Sequence, residues 1–162
     1  MTPVRIVTRR HTDVDRCVTT LRTVHESDGY PVNWPADPHA WLIPPGLLHS
    51  WIATGADGTV AGHVALVGDA GGRPVEVSRL FVHPDHRRAS VATGLLGEVR
   101  SWAAEHGRDL VLEVVDEGRA GAIAFYEATG WRFTHATTAD WTTPDGRPVR
   151  LRHYILAARP GR

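Results

Sequence analysis

The sequence predicts one mixed α/β domain built around one sheet. Three observations carry that prediction. The chain has 162 residues, 42% of them hydrophobic, which suits one domain of ordinary size with a core of its own. Runs rich in β-branched residues alternate with segments of helical period, in the order strand, helix, three strands, helix, strand, helix, two strands. No segment repeats another.

The elements follow in order. "VRIVTRR" (4–10) is a strand by its β-branched content. Thr12 and Asp15 are spaced as a capping box for a helix whose apolar positions are Val14, Val18, Leu21 and Val24. Residues 27–50 hold five prolines and two tryptophans, too much proline for one regular element and too much apolar surface for a disordered linker. They read as a docked loop with a short helix near 37–42. "WIATG" (51–55) and "TVAGHVALVG" (59–68) flank Asp57-Gly58, a hairpin turn pair, and "DAGGR" (69–73) turns the chain into a third strand at 75–82. Val91, Leu95, Leu96, Val99, Trp102 and Ala103 mark one face of a helix that runs to about His106 and stops at Gly107. "DLVLEVV" (109–115) is nearly all apolar, the pattern of a strand covered on both faces. Ala120–Ala128 forms the last helix, stopped by Gly130 with Trp131 packing back over its end. Two strands, about 132–140 and 148–157, close the chain around "TPDGRP".

Composition narrows the function classes. Basic and acidic residues balance at 18 each, so no global field favours nucleic acid or an anionic membrane. Every basic residue is arginine. The absence of lysine excludes Schiff-base chemistry and a phosphate loop ending in Gly-Lys. The single cysteine, Cys17, can form no intramolecular disulfide and falls on the buried face of the first helix. No apolar stretch reaches 18 residues and the N-terminus lacks an apolar signal core, so the expectation is a soluble, cytoplasmic protein. The 10 histidines are scattered without ligand spacing, and no metal site is expected.

The stretch "HPDHRRASVATGLL" (83–96) leads from a strand into a helix. A helix start offers unpaired N–H groups and a positive dipole end, and Arg87 and Arg88 add charge beside it. Glycine usually clears the approach of an anion there. Here Ala89, Ser90 and Ala92 are the smallest substitutes. The residues alone leave two readings open: an anion-binding turn, or a solvated basic loop.

A resemblance separates those readings. "LFVHPDHRRASVATGLL" resembles the acetyl-CoA-binding signature of the GNAT N-acetyltransferase superfamily: an apolar strand, V-x-P, then Arg/Gln-x-x-Gly-x-Gly/Ala, then a helix. Arg87 matches its first position and Ala92 its last, with Ser90 where glycine is expected. "AIAFYEATGW" (122–131) is similar to the family's A-I-x-L-Y-x-x-x-G-F. The resemblance implies a single GNAT-like domain over 1–162, with a core of about 4–157. Its central, mostly antiparallel seven-stranded sheet would splay between the fourth and fifth strands and be flanked by helices.

It also implies an acetyl-CoA-dependent N-acetyltransferase, with acetyl-CoA as cosubstrate and no metal. Backbone groups of Leu80, Phe81 and Val82 would pair with the pantetheine arm. Arg87 and the amides of Arg88, Ala89, Ser90, Val91, Ala92 and Thr93 would hold the pyrophosphate. Tyr126 stands at the general-acid position; its other reading is a core tyrosine beside Phe125. Arg119 occupies the place of the family's usual Asn, seven residues before the tyrosine, and is a candidate for a CoA phosphate.

Acetyl transfer to an amine needs a proton acceptor for the amine, an oxyanion donor and a proton for the leaving thiolate. Glu76 is the candidate base, placed by the two-residue period on one strand face with Ser78 and Leu80; it reads equally as a rim residue. Glu113, which interrupts an apolar run, is the second candidate. For the acceptor, the family's pocket lies between the loop after the first helix and the last two strands. That loop offers Glu26, Asp28, Tyr30, Asn33 and Trp34, and the strands offer Trp141 and Tyr154. Carboxylates beside aromatics suit a small cation; the same residues also suit mere loop packing. The expected reaction is direct attack by a primary amine of a small molecule in a ternary complex. The alternatives are a CoA-binding module with weak or lost turnover and a protein or peptide N-acetyltransferase. No nucleic-acid or membrane partner is expected, and a homodimer is common among relatives.

Overall fold

A computed structural model describes residues 3–69, 71–87 and 90–158. Along the chain lie β1 (Arg5–Thr8), α1 (Val14–Asp28), α2 (Pro38–Trp41), β2 (Leu47–Thr54), β3 (Val60–Val67), β4 (Val75–Val82), α3 (Val91–His106), β5 (Leu110–Val115), α4 (Ala120–Ala128), β6 (Arg132–Thr142) and β7 (Pro148–Leu156). The strands form one seven-stranded sheet in the order β1-β2-β3-β4-β5-β7-β6. Every neighbouring pair is antiparallel except β4 and β5, which run parallel. This is the GNAT-like fold expected, splayed between its fourth and fifth strands.

Strand alternation gives the sheet two apolar faces, and helices cover both. On one face Trp51, Val64, Leu66, Val75 and Val77 pack against Leu95, Leu96 and Val99 of α3, and the cluster continues through Leu112 and Tyr154 to Tyr126 of α4. On the other, Ile52, Val60 and Phe81 receive Val14, Cys17, Val18, Leu21 and Val24 of α1. Burial pushes the Cys17 thiol up to about 12, so it packs as a small apolar residue.

Several boundaries differ from the sequence expectation. The first strand covers Arg5–Thr8, narrower than 4–10. The start of α1 is not capped by Thr12. A short 3-10 turn over His11–Asp13 precedes it, in which the buried Asp13 carboxylate accepts the Arg10 N–H at 2.7 Å and pairs with the Arg10 and Arg16 side chains. β2 begins at Leu47 rather than 51, because Gly46 turns at φ +81° and accepts the Gly68 N–H at 2.9 Å, starting the β2–β3 ladder earlier. β5 is not covered on both faces. Leu110, Leu112 and Val114 are buried, whereas Val111, Glu113 and Val115 are less so, and Glu113 and Val115 line an open groove. The short helix near 37–42 is α2, capped by the Asp37 side chain accepting the Ala40 N–H at 3.1 Å.

Candidate active site

β4 and β5 pair only at Val75–Leu110 and Glu76–Val111 and then diverge. Their facing edges beyond that point have no strand partner and line a groove of about 1150 Å³. Unpaired strand edges are rows of hydrogen-bonding groups open to an extended ligand. The direction of the groups is set by alternation. The His83 N–H bonds the Ala61 carbonyl on the β3 side. Val82 therefore turns its backbone toward the groove, where its carbonyl accepts Arg87 Nη2 at 3.0 Å.

Beyond the point of divergence β4 carries a bulge. Arg79 lies in the left-handed region at φ +53°, where a non-glycine residue costs about 1–2 kcal/mol. Opposite it, the register with β3 slips between His63 and Ala65. The surroundings hold Arg79 there. His63 Nδ1–H donates to its carbonyl at 2.8 Å, its guanidinium donates to the Trp41 carbonyl at 3.0 Å and the Ser78 hydroxyl at 2.8 Å, and it stacks over the Trp41 ring at 4.5 Å. His63 itself is fully buried, and its Nε2 accepts from Arg9 Nη1 at 2.9 Å. A guanidinium can only donate and a carbonyl can only accept, so this network fixes the neutral Nδ1–H tautomer. Burial pushes the imidazole down to about 3, consistent with that state. The sequence reading missed this device. Its trace is a histidine within the apolar run "VAGHVALV".

The bulge also corrects the face assigned to Glu76. Val75, Val77, Leu80 and Val82 all join the α3-side cluster, so the two-residue period breaks at Arg79. Glu76 and Ser78 share the opposite face with Phe81, not with Leu80. Glu76 lines the groove with Glu113. Its carboxyl is raised above the ordinary value by burial first and by the Glu113 charge second.

At one end of the groove is the start of α3. Ser90 adopts φ +60°, ψ 24°, the left-handed conformation that explains a glycine in the signature, and makes no side-chain cap. The Gly94 N–H bonds the Ser90 carbonyl at 3.0 Å, which leaves the amides of Val91, Ala92 and Thr93 without an intrahelical partner. Gly62 lets α3 lie close to β3: a Cβ there would stand 2.7 Å from Val91 Cγ1. Arg88 and Ala89 lie outside the described residues.

Both remaining arginines of the expected cofactor set grip the end of α1. Arg87 forms an ion pair with Asp28, whose carboxyl that hydrogen bond holds below its ordinary value. Arg119 precedes α4 and donates to the carbonyls of Asp28 and Gly29, each at 3.2 Å, and lies over Tyr30 at 6.0 Å. The Arg119 guanidinium is thus a strut between the start of α4 and the acceptor loop.

Tyr126 is buried and lines the groove beside Phe125. Burial, then the nearby Tyr30, raises its hydroxyl above the ordinary value, with no hydrogen bond contributing. Trp131 closes the end of α4 as expected, its backbone N–H donating to the Tyr126 carbonyl at 3.1 Å. Of the acceptor residues, Asp28, Tyr30, Asn33 and Trp141 line the groove, joined by Trp41, which the sequence reading did not name. Glu26 and Trp34 do not. Glu26 is exposed on the last turn of α1, and Trp34 packs under Arg22 at 4.7 Å and beside His25 at 5.3 Å, because the loop turns that ring back onto the helix. Asn33 Nδ2 donates to the Thr142 carbonyl at 2.8 Å, tying the loop to β6. Among the described residues no cluster of three or more His, Cys, Asp or Glu is arranged to hold a metal ion, and no helix is long and apolar enough to cross a membrane.

Comparison with known proteins agrees with this fold. The model of the Acetyltransferase (GNAT) family matches residues 17–131. The ribosomal-protein-S18-alanine N-acetyltransferase from Escherichia coli superposes with a TM-score of 0.78 at 20% identity, covering 98% of this chain and 97% of the other. Arabidopsis thaliana NAA60 in complex with a bisubstrate analogue gives 0.78 at 16% identity, with 98% and 100% covered. Nourseothricin acetyltransferase gives 0.72 at 25% identity, with 97% and 99% covered. A search of curated proteins finds no match.

Proposed function

The chain belongs to the GNAT acetyltransferase family, and from that premise we propose that it is an acetyl-CoA-dependent N-acetyltransferase acting on a primary amine of a small molecule by direct attack in a ternary complex. The carrying observation is the opening of β4 from β5 after Glu76, with the Tyr126 hydroxyl inside it. Acetyl-CoA supplies an activated thioester when bound. The chain's residues fit its length and chemistry. The free edge at Leu80–Val82 can pair with an extended amide-bearing arm, and the amides of Val91, Ala92 and Thr93 face the end where a diphosphate belongs. A backbone N–H of the β4 edge polarises the acetyl carbonyl.

Glu76, made more basic by burial and by Glu113, receives the proton of the incoming ammonium. Tyr126 remains protonated at neutral pH because burial opposes its ionisation, so it holds a proton ready for the departing thiolate. The Glu76 and Glu113 carboxylates, in one groove with Tyr30, Trp41 and Trp141, suit a small cationic amine. The Asn33–Thr142 bond brings the loop and β6 together over this end, which favours a compact acceptor over a polypeptide.

The test is thiol release from acetyl-CoA with spermidine, 1,4-diaminobutane, tyramine, an aminoglycoside and a short peptide with a free N-terminal alanine. Release with a small amine, lowered at least ~100-fold in kcat by Tyr126→Phe with acetyl-CoA binding intact, supports the proposal. Release with the peptide alone makes the acceptor a protein terminus. Binding without release reduces the protein to a CoA-binding module.

A further inference from the structure

Glu113 has a partner that the reaction described above does not use. Glu113 of β5, His153 of β7 and His135 of β6 stand in one cross-strand row, with Glu113 opposite His153 and His153 opposite His135. The side chains follow the register. Glu113 Oε2 lies 4.0 Å from His153 Nδ1, and the two imidazoles stack at 4.3 Å with 4° between their planes. His153 Nε2 lies 2.7 Å from Thr137 Oγ1. The row starts in the groove at Glu113, passes the half-buried His153 and ends at the exposed His135.

We propose that His153 is a positioning residue that carries the acceptor's proton from Glu113 out of the groove. The proposal rests on the acetyltransferase reading above. Its chemistry balances without a further reactant. The acceptor ammonium gives a proton to the interacting carboxylate pair Glu76 and Glu113, which share it within the groove, and becomes a neutral amine; Glu113 is the member that passes it on. The resulting Glu113 carboxyl gives the proton to His153 Nδ1 and returns to carboxylate. The imidazolium then loses it to solvent at the β6 edge, and the site is reset. The 4.0 Å gap is longer than a hydrogen bond, so the second transfer runs through one water or a small side-chain rotation.

The partners distinguish His153 from the buried His63 of β3. His63 Nε2 faces a guanidinium and is confined to the neutral form. His153 Nε2 faces a hydroxyl, which both donates and accepts, so the bond to Thr137 persists whether the ring is neutral or charged. A ring that must alternate between those states needs such a partner. The titratable and charged groups facing the row from adjoining elements are Glu76 on β4, with Arg79 acting on it and Tyr30 beside it, and His135 on β6. Arg152 leaves this face for the α4 side, where it pairs with Glu127.

The experiment is the pH profile of kcat/KM from pH 6 to 9, with acetyl-CoA and whichever amine of the panel above turns over fastest. His153→Gln is expected to lower kcat/KM about 10-fold at pH 7, with the loss shrinking toward pH 9, where hydroxide takes the proton directly. Added imidazole restores His153→Ala but not Glu113→Gln, which removes the carboxylate on which the relay depends. Profiles of His153→Gln and His153→Ala that superimpose on the parent protein overturn the relay while leaving the acetyltransferase standing. Absence of thiol release by the parent protein with every amine overturns the acetyltransferase reading, and the relay with it.

Discussion

Acidification should weaken this fold through His63, and the size of the effect follows from its surroundings. In the unfolded chain the imidazole takes up a proton near 6.5; in the fold, burial delays this to about 3. Between those values the unfolded state binds one proton more, so stability falls as pH falls. At about 1.36 kcal/mol per unit, lowering the pH from above 7 to 5 removes about 2 kcal/mol. His63→Gln isolates the effect, because a glutamine amide can still donate toward the Arg79 carbonyl and accept from Arg9 but does not titrate. The lowered carboxyls of Asp13 and Asp28 act only below their ordinary 3.8, outside the interval. The assay is urea unfolding of both proteins at pH 7.5 and pH 5. The parent should lose about 2 kcal/mol more than the variant over that interval. Equal losses would refute the neutral, buried imidazole and with it the account of how the bulge is held.

Ser90→Gly should stabilise the protein by about 1 kcal/mol, read as a higher melting temperature, because glycine enters the left-handed region without strain. It should also tighten acetyl-CoA binding by clearing the approach to the first amides of α3; unchanged affinity would separate the strain from the cofactor. Arg119→Ala should raise the acceptor KM about fivefold, the equivalent of about 1 kcal/mol, and leave the acetyl-CoA KM nearly unchanged, since its bonds go to the carbonyls before Tyr30. A rise in the acetyl-CoA KM instead would return Arg119 to the phosphate.

The parts of the fold legible in the sequence were those set by local periodicity. The apolar spacing of α1 and α3, the Asp57-Gly58 turn and the glycine after α3 each act within a few residues. The turn into α3 and Tyr126 were singled out because a motif names them. What escaped depends on contacts distant in the chain. The bulge at Arg79 is held by His63 and Trp41, and no strand pattern foretells that Leu80 changes face. Arg87 and Arg119 look free in the sequence, yet both meet the end of α1, 59 and 91 positions away respectively for their Asp28 partner. Trp34 and Tyr30 sit on the same loop. Which ring turns into the groove is decided by where Arg22 and His25 stand on the neighbouring helix. The alternation of β5 was hidden because Val111 and Val115, on its less buried face, are apolar residues, and Val115 lines an open groove.

Titration calorimetry with acetyl-CoA, run beside S-acetylpantetheine, addresses the helix start and the open strand edge together. A saturable one-to-one isotherm for acetyl-CoA, with much weaker association for the compound lacking the diphosphate, is the predicted result. No heat at millimolar acetyl-CoA, or equal affinity for the two compounds, would contradict the assignment of the α3 amides as the diphosphate site.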